Sequence, residues 1–287
     1  MFAMKPSSCA DLTGEAIDLR AYLERIGYDG PVAPTLAVLQ AVVRRHMASI
    51  PFEAIDVMLG HGVDLDPAAI DCKMLDQRRG GYCFEHASLL RRALQAIGFT
   101  LEQHLARVWI FDNIDGPAPA ANHASLKVEA DGRLWLVDTG FGGFMPNSPL
   151  AWLPDEVQHT PFGTFRIVET RDGYMLESWY DNSWSPLYEI LDFHWAAVDF
   201  KIANHYVATH PESLFKHELM VARTESEARY TLSNNRFKVR HADAGEYEQI
   251  LDEPALERTL VETFGLPGCD DWQPLIADIA ARAGHAG

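Results

Sequence analysis

The chain has 287 residues, 47% of them hydrophobic and 23% charged, which is the balance of a soluble globular protein large enough for more than one core. A formal net charge of −17 argues against nucleic acid as a partner, and any phosphorylated ligand would need a local basic patch. No apolar run approaches the roughly 20 residues of a membrane span, the start Met1-Phe2-Ala3-Met4-Lys5-Pro6 lacks a signal-peptide core, and the scattered Cys9, Cys72, Cys83 and Cys269 read as reduced thiols of a cytoplasmic protein.

The first part of the chain reads as helical. Asp18 to Ile26 places Leu19, Tyr22, Leu23 and Ile26 on one face and stops at Gly27. Thr35 caps a second helix through Leu36, Leu39, Val42, Val43 and Met47, ending near Ile50-Pro51. An irregular stretch from Leu59 to Asp66 follows. A third helix is expected from Cys83 to Ile97, with Ala87, Leu90, Leu94 and Ile97 on its apolar face and Gly98 closing it.

After Gly98 the period changes to that of strands. Leu105 to Ile110 is one, and His123 to Ala130 and Arg133 to Thr139 form a hairpin around Asp131-Gly132. The Pro- and Gly-rich stretch from Gly142 to Pro161 reads as a loop without regular structure. Gly163 to Thr170 and Tyr174 to Tyr180 repeat the hairpin device around Asp172-Gly173, so the sheet is expected to curl toward a barrel. The aromatics Trp179, Tyr180, Trp184, Tyr188, Phe193 and Trp195 read as barrel core. Glu218 to Arg223, Ala228 to Leu232 and Arg236 to His241 are further strands, and Glu246 to Asp252 reads as solvated acidic surface. Asp252 caps a helix from Glu253 to Phe264, and a last helix runs from about Gln273 to Arg282.

The segment Arg79-Gly80-Gly81-Tyr82-Cys83-Phe84-Glu85-His86 carries the chemistry. It places Cys83 at a helix N-terminus, where unpaired N–H groups and the helix dipole favour an anion and lower a thiol pKa. The hairpin supplies a base and its orienter. With a two-residue turn, Ala130 pairs with Arg133, Ser125 falls opposite Asp138, and His123 shares a face with Asp138 within diagonal reach. A three-residue loop would reverse that parity. Cys83, His123 and Asp138 then make a nucleophile, base and orienter. Cys72, Cys83 and His86 lack the paired short intervals of a zinc site, so no metal is expected.

These residues resemble the arylamine N-acetyltransferases. The likeness rests on Arg79 to Glu85, the His123 strand and Val137-Asp138-Thr139-Gly140-Phe141-Gly142. Ile50-Pro51-Phe52-Glu53, Ala106-Arg107-Val108 and Asn204 to Pro211 support it. It implies an α+β protein with a helical N-terminal domain (1–98), an antiparallel β-barrel middle domain (99–200) and an α/β C-terminal lid domain (201–287). It also implies ping-pong chemistry: Cys83 takes an acetyl group from acetyl-CoA as a thioester, and an arylamine or hydrazine nitrogen then attacks. His123 and Asp138 carry over as base and orienter, Val108, Phe141, Gly142 and Phe144 as substrate-pocket residues, and Glu53 and Arg79 as a buried charge pair bracing the loop before Cys83. The chain departs from the family pattern at Ala54, Ala87 and Phe144. The competing functions are an amide synthase of the same fold, taking a carrier-bound or longer acyl group, and a Cys–His–Asp hydrolase of the papain or transglutaminase type. A binding module on a retired scaffold has no chemical need for all three residues.

Overall fold

A computed structural model describes residues 16–110, 114, 116–242 and 245–283. Helix α1 (Leu19–Ile26) begins where the Asp18 carboxylate accepts the Ala21 N–H, and it ends on Gly27 at φ 64°. Thr35 caps α2 (Leu36–Ser49) through the Val38 N–H. Strand β1 (Phe52–Glu53), α3 (Ile55–Met58) and α4 (Pro67–Asp71) follow, and α4 runs into a π-helical turn over Cys72–Asp76. Helix α5 (Cys83–Ile97) closes at Gly98. Tyr22, Leu39, Val42, Leu90 and Leu94 pack with Leu126 and Val128 of the following sheet. Each such side chain contributes about 1.5–3 kcal/mol on burial.

The middle sheet contains β2 (Thr100–Val108), β3 (Ala121–Ala130), β4 (Arg133–Val137), β5 (Leu150–Ala151), β6 (Gln158–Thr160), β7 (Gly163–Glu169), β8 (Gly173–Tyr180) and β9 (Ser183–Leu191). Its antiparallel order is β5-β4-β3-β2-β9-β8-β7-β6, and Pro154, just beyond β5, bridges to Ile167 on β7, so the sheet is a nearly closed barrel. The β3–β4 turn is the expected two-residue one. Asp131 and Gly132 have φ of 50° and 72°, the left-handed pair of a type I′ turn, and Ala130 pairs with Arg133.

The rest of the described chain comprises α6 (Ala197–Thr209), β10 (Met220–Thr224), β11 (Ala228–Ser233), β12 (Arg236–His241), β13 (Gly245–Ile250), α7 (Glu253–Arg258) and α8 (Gln273–Ala283). A second sheet runs β1-β10-β11-β12-β13. Its first strand comes from the N-terminal region, and Phe52 also bridges to Gly81. The turn before Cys83 is therefore built against the edge of the C-terminal sheet. That sheet covers a core of Val221, Leu232, Leu256, Leu260, Trp272 and Ile276.

The structure departs from the sequence reading in several places. Helix α6 was not expected, because Val198, Ile202 and Tyr206 remain exposed opposite the buried Phe200, Ala203 and Val207 and blur the helical period. The acidic stretch from Glu246 is solvated as expected, but it is also edge strand β13, whose Glu248 meets Arg236 diagonally at 2.8 Å. The stretch from Gly142 to Pro161 holds β5, β6 and a 3-10 turn, all too short to show a period. Cys83 and Cys269 are free, but Cys72 is disulfide-bonded, which corrects the expectation of reduced thiols at that position. Separation along a sequence does not report separation in space. Cys9 lies outside the described residues.

Candidate active site

Cys83 is the first residue of α5, and the preceding turn is held from several directions. The Glu85 carboxylate accepts the Tyr82 N–H at 3.0 Å, closing the helix start on itself. Gly80 and Gly81 are required by close approach: a Cβ on Gly80 would lie 2.1 Å from the Pro51 carbonyl oxygen. Beneath the turn lie three acids and two bases. Arg79 Nη2 meets Glu53 Oε1 at 2.8 Å and its Nη1 meets Asp56 Oδ1 at 3.1 Å. Lys73 Nζ meets Asp56 and Glu85, both at 2.8 Å. The Glu53–Arg79 pair is thus present, and Lys73 is an addition that no spacing pattern announced. Burial alone would lower the Lys73 pKa, but Glu85, Glu53 and Asp56 outweigh it and hold the ammonium above its usual range.

A buried hydrogen-bonded chain supports the same turn. His86 Nε2 reaches the Pro51 carbonyl at 3.2 Å, His46 Nε2 lies 2.8 Å from His86 Nδ1, and the Tyr22 hydroxyl lies 3.0 Å from His46 Nδ1. A carbonyl can only accept, so each imidazole carries its proton on Nε2 and the whole chain is neutral and directional. Burial lowers His86 to about 4 and His46 well below its ordinary value.

On the opposite side, β3 and the end of β4 bring up the base. His123 Nε2 donates to Asp138 Oδ2 at 2.7 Å, and Asp138 Oδ1 accepts the Gly140 N–H at 2.8 Å. Both carboxylate oxygens are used, and the Nδ1 of His123 is left as the bare ring nitrogen. The Cys83 sulfur lies against the peptide groups on either side of His123. Its thiol points to the Asn122 carbonyl at 3.9 Å, and the Ala124 N–H reaches it, as does that of Phe84. Gly140 closes the back of the nucleophile: a Cβ there would stand 2.7 Å from Cys83 Cα.

All three residues are at most 5% exposed. Burial therefore pushes the Cys83 thiol well up, Asp138 and Glu85 push the same way, and the two N–H groups only partly oppose them. The lowering expected from the helix N-terminus is outweighed, because the site is closed to water.

Around His123 the neighbours are aromatic. The Phe141 and Tyr188 rings lie 5.0 and 4.8 Å from the imidazole and 4.8 Å from each other. Burial and the Asp138 carboxylate hold the Tyr188 phenol well above its ordinary value. Of the six aromatics expected in the barrel core only Tyr188 is there, where it also forms a wall of the site; Trp179, Tyr180 and Phe193 are exposed and Trp184 and Trp195 half-buried, because they lie at or beyond the ends of β8 and β9, away from the core. The position of Tyr188 opposite Val108 in the β2–β9 ladder becomes legible only once that pairing is known. Val108 and Phe141 pack on the same barrel core. Gly142, at φ 75°, sits over the Phe52 ring, and Phe144 is turned outward and half exposed.

A family model described as N-acetyltransferase matches residues 35–268. The arylamine N-acetyltransferase of Mycobacterium tuberculosis is 39% identical over 258 residues, 89% of this chain and 91% of that protein. A Salmonella typhimurium relative, named arylamine N-acetyltransferase / N-hydroxyarylamine O-acetyltransferase, is 32% identical over 86% of this chain and 88% of its own. Among solved structures, the Mycobacterium marinum arylamine N-acetyltransferase in complex with CoA superposes with a TM-score of 0.86 at 34% identity, covering 92% of this chain and 99% of that one. The fold and the sequence agree: this chain belongs to the arylamine N-acetyltransferases, a family of acyltransferases.

Proposed function

We propose that the protein transfers an acetyl group from acetyl-CoA to the nitrogen of an arylamine or arylhydrazine, in two half-reactions through a thioester on Cys83. The observation that carries this reading is the Cys83 sulfur lying against the peptide groups flanking His123, whose Nε2 is held by Asp138 at 2.7 Å. In the first half-reaction His123 Nδ1 takes the thiol proton and the sulfur attacks the thioester carbonyl carbon. The N–H groups of Phe84 and Ala124, which reach the Cys83 sulfur, are the donors this reading assigns to the developing oxyanion. The carbon–sulfur bond to CoA breaks, and the imidazolium returns its proton to the departing thiolate. In the second, the amine nitrogen attacks the acylated Cys83, its proton passes to His123, and the cysteine sulfur leaves and is reprotonated.

Burial makes a lone thiolate costly, so charge separation occurs as a pair, with the imidazolium stabilised by Asp138. The same exclusion of water favours transfer to an amine over hydrolysis. The M. marinum relative solved with CoA supports a CoA thioester as donor. Val108, Phe141, Gly142 and Phe144 supply the pocket in this reading, and Glu53 with Arg79 braces the turn.

Initial rates with both substrates varied test the scheme. Parallel double-reciprocal lines are expected, because one product leaves before the second substrate binds. Intersecting lines would mean a ternary complex and would remove the Cys83 intermediate.

A further inference from the structure

The segment Phe141–Met145 is gripped by one residue of the C-terminal sheet. Arg229, on β11, is only 3% exposed. Its Nη1 donates to the Gly143 carbonyl at 2.8 Å, its Nη2 to the Met145 carbonyl, and its Nε to Thr224 Oγ1 at 3.2 Å. The guanidinium lies 4.8 Å from the centre of the Phe162 ring. None of these partners is a carboxylate, and the cross-strand neighbour is another cation, Arg240. A buried cation facing carbonyls and a second cation is a costly arrangement, and an apolar side chain of similar volume would fill the space at lower cost.

The grip is specific in direction. Thr231, two residues along the same face of β11, abuts the segment, since a Cβ on Gly143 would lie 2.7 Å from its Cγ2. Gly142 rests on the Phe52 ring. The segment is thereby pinned at alternate carbonyls while its two aromatic side chains diverge. Phe141 is packed on His123 and Tyr188, and Phe144 is half exposed.

We propose that Arg229 is a positioning residue that sets acceptor specificity. By fixing the Gly143 and Met145 carbonyls, it holds Phe141 against the base and Phe144 at the rim, and so selects which amines reach the acyl group on Cys83. This rests on the acetyl-transfer reading above. His123 and the Gly140 N–H hold Asp138, and Tyr188 keeps its own contact with the imidazole, so loosening the grip shifts Phe141 without releasing the hydrogen bonds of the triad.

Arg229→Met and Arg229→Lys are compared with wild type in three measurements. These are the pH profile of Cys83 alkylation by iodoacetamide, acetylation by acetyl-CoA read as intact mass, and kcat/KM for para-substituted anilines of increasing bulk. The alkylation profile is expected to stay unchanged. The ratio of kcat/KM between the bulkiest and smallest aniline should shift by about tenfold in the Met variant, the scale of a small misplacement near the reacting atoms. The Lys variant should recover part of that shift, because an ammonium can donate to either carbonyl but does not span both. A uniform loss across all anilines that tracks slower alkylation, or an unchanged ratio, would overturn the proposal. If the Met variant does not fold, the same ratio in the Lys variant decides. A wild type that takes no acetyl group from acetyl-CoA would instead refute the acetyl-transfer reading, so the two failures are read on different proteins.

Discussion

The two sides of the site are braced by different physics. Beneath Cys83 lie Glu53, Asp56, Lys73, Arg79 and Glu85, whose ion pairs tie α5, the π-helical turn, β1 and α3 together. Around His123, among the described residues, the charge in contact is Asp138, and the remaining neighbours named above are the rings of Phe141 and Tyr188. The nucleophile side must fix a backbone turn through Gly80 and Gly81, which offer no side chains to grip, so charges and hydrogen bonds do the holding. The base side must fix one ring in one tautomer. A low-dielectric aromatic shell strengthens the single hydrogen bond that does so.

This contrast predicts different kinds of damage on the two sides. Asp138→Asn should leave the fold intact and lower kcat by about 10⁴-fold, since the amide offers His123 the wrong tautomer. Near-normal turnover would remove Asp138 from the mechanism. Arg79→Met should act on stability, costing about 3–5 kcal/mol in urea unfolding by leaving Glu53 buried with less compensation. A loss of rate without a loss of stability would erase the distinction between the two sides.

The neutral histidine chain sharpens the comparison through pH. His86 falls from an ordinary 6.5 to about 4 in the fold, so the unfolded chain binds its proton first as the solution is acidified. Its contribution is fully present above pH 6.5, is lost as pH falls toward about 4, and amounts to about 3 kcal/mol. His86→Gln should flatten the difference in unfolding free energy between pH 7 and pH 4.5, and an unchanged slope would contradict the assignment. Gly140→Ala tests the point where the two sides meet. Its new Cβ would press on Cys83 Cα, a backbone atom that cannot swing aside, so kcat/KM should fall about 100-fold together with a loss of about 1–3 kcal/mol in urea unfolding. Wild-type rates would show that the nucleophile tolerates movement.

Much of the base side was legible in the sequence, because a hairpin is local. Asp131-Gly132 dictates a two-residue turn, the turn dictates parity, and parity puts His123 and Asp138 on one face. The apolar stripe and terminal glycine of α5 likewise define the helix that presents Cys83. What could not be read depends on contacts between distant segments. Lys73 enters through a π-helical turn, Tyr188 through the β2–β9 pairing, and Arg229 through a sheet whose first strand comes from residues 52 and 53. The depressed thiol pKa expected from the helix N-terminus was a local inference of the same kind. Burial, a property of the whole fold, opposes it.

The most direct test of the central claim is the intact mass of the protein after brief exposure to acetyl-CoA without an acceptor, beside Cys83→Ala. The account predicts one added acetyl group on the wild type, none on the variant, and its loss when an arylamine is added. An unmodified wild type whose Cys83 is still rapidly alkylated at neutral pH would contradict acetyl-CoA as the donor.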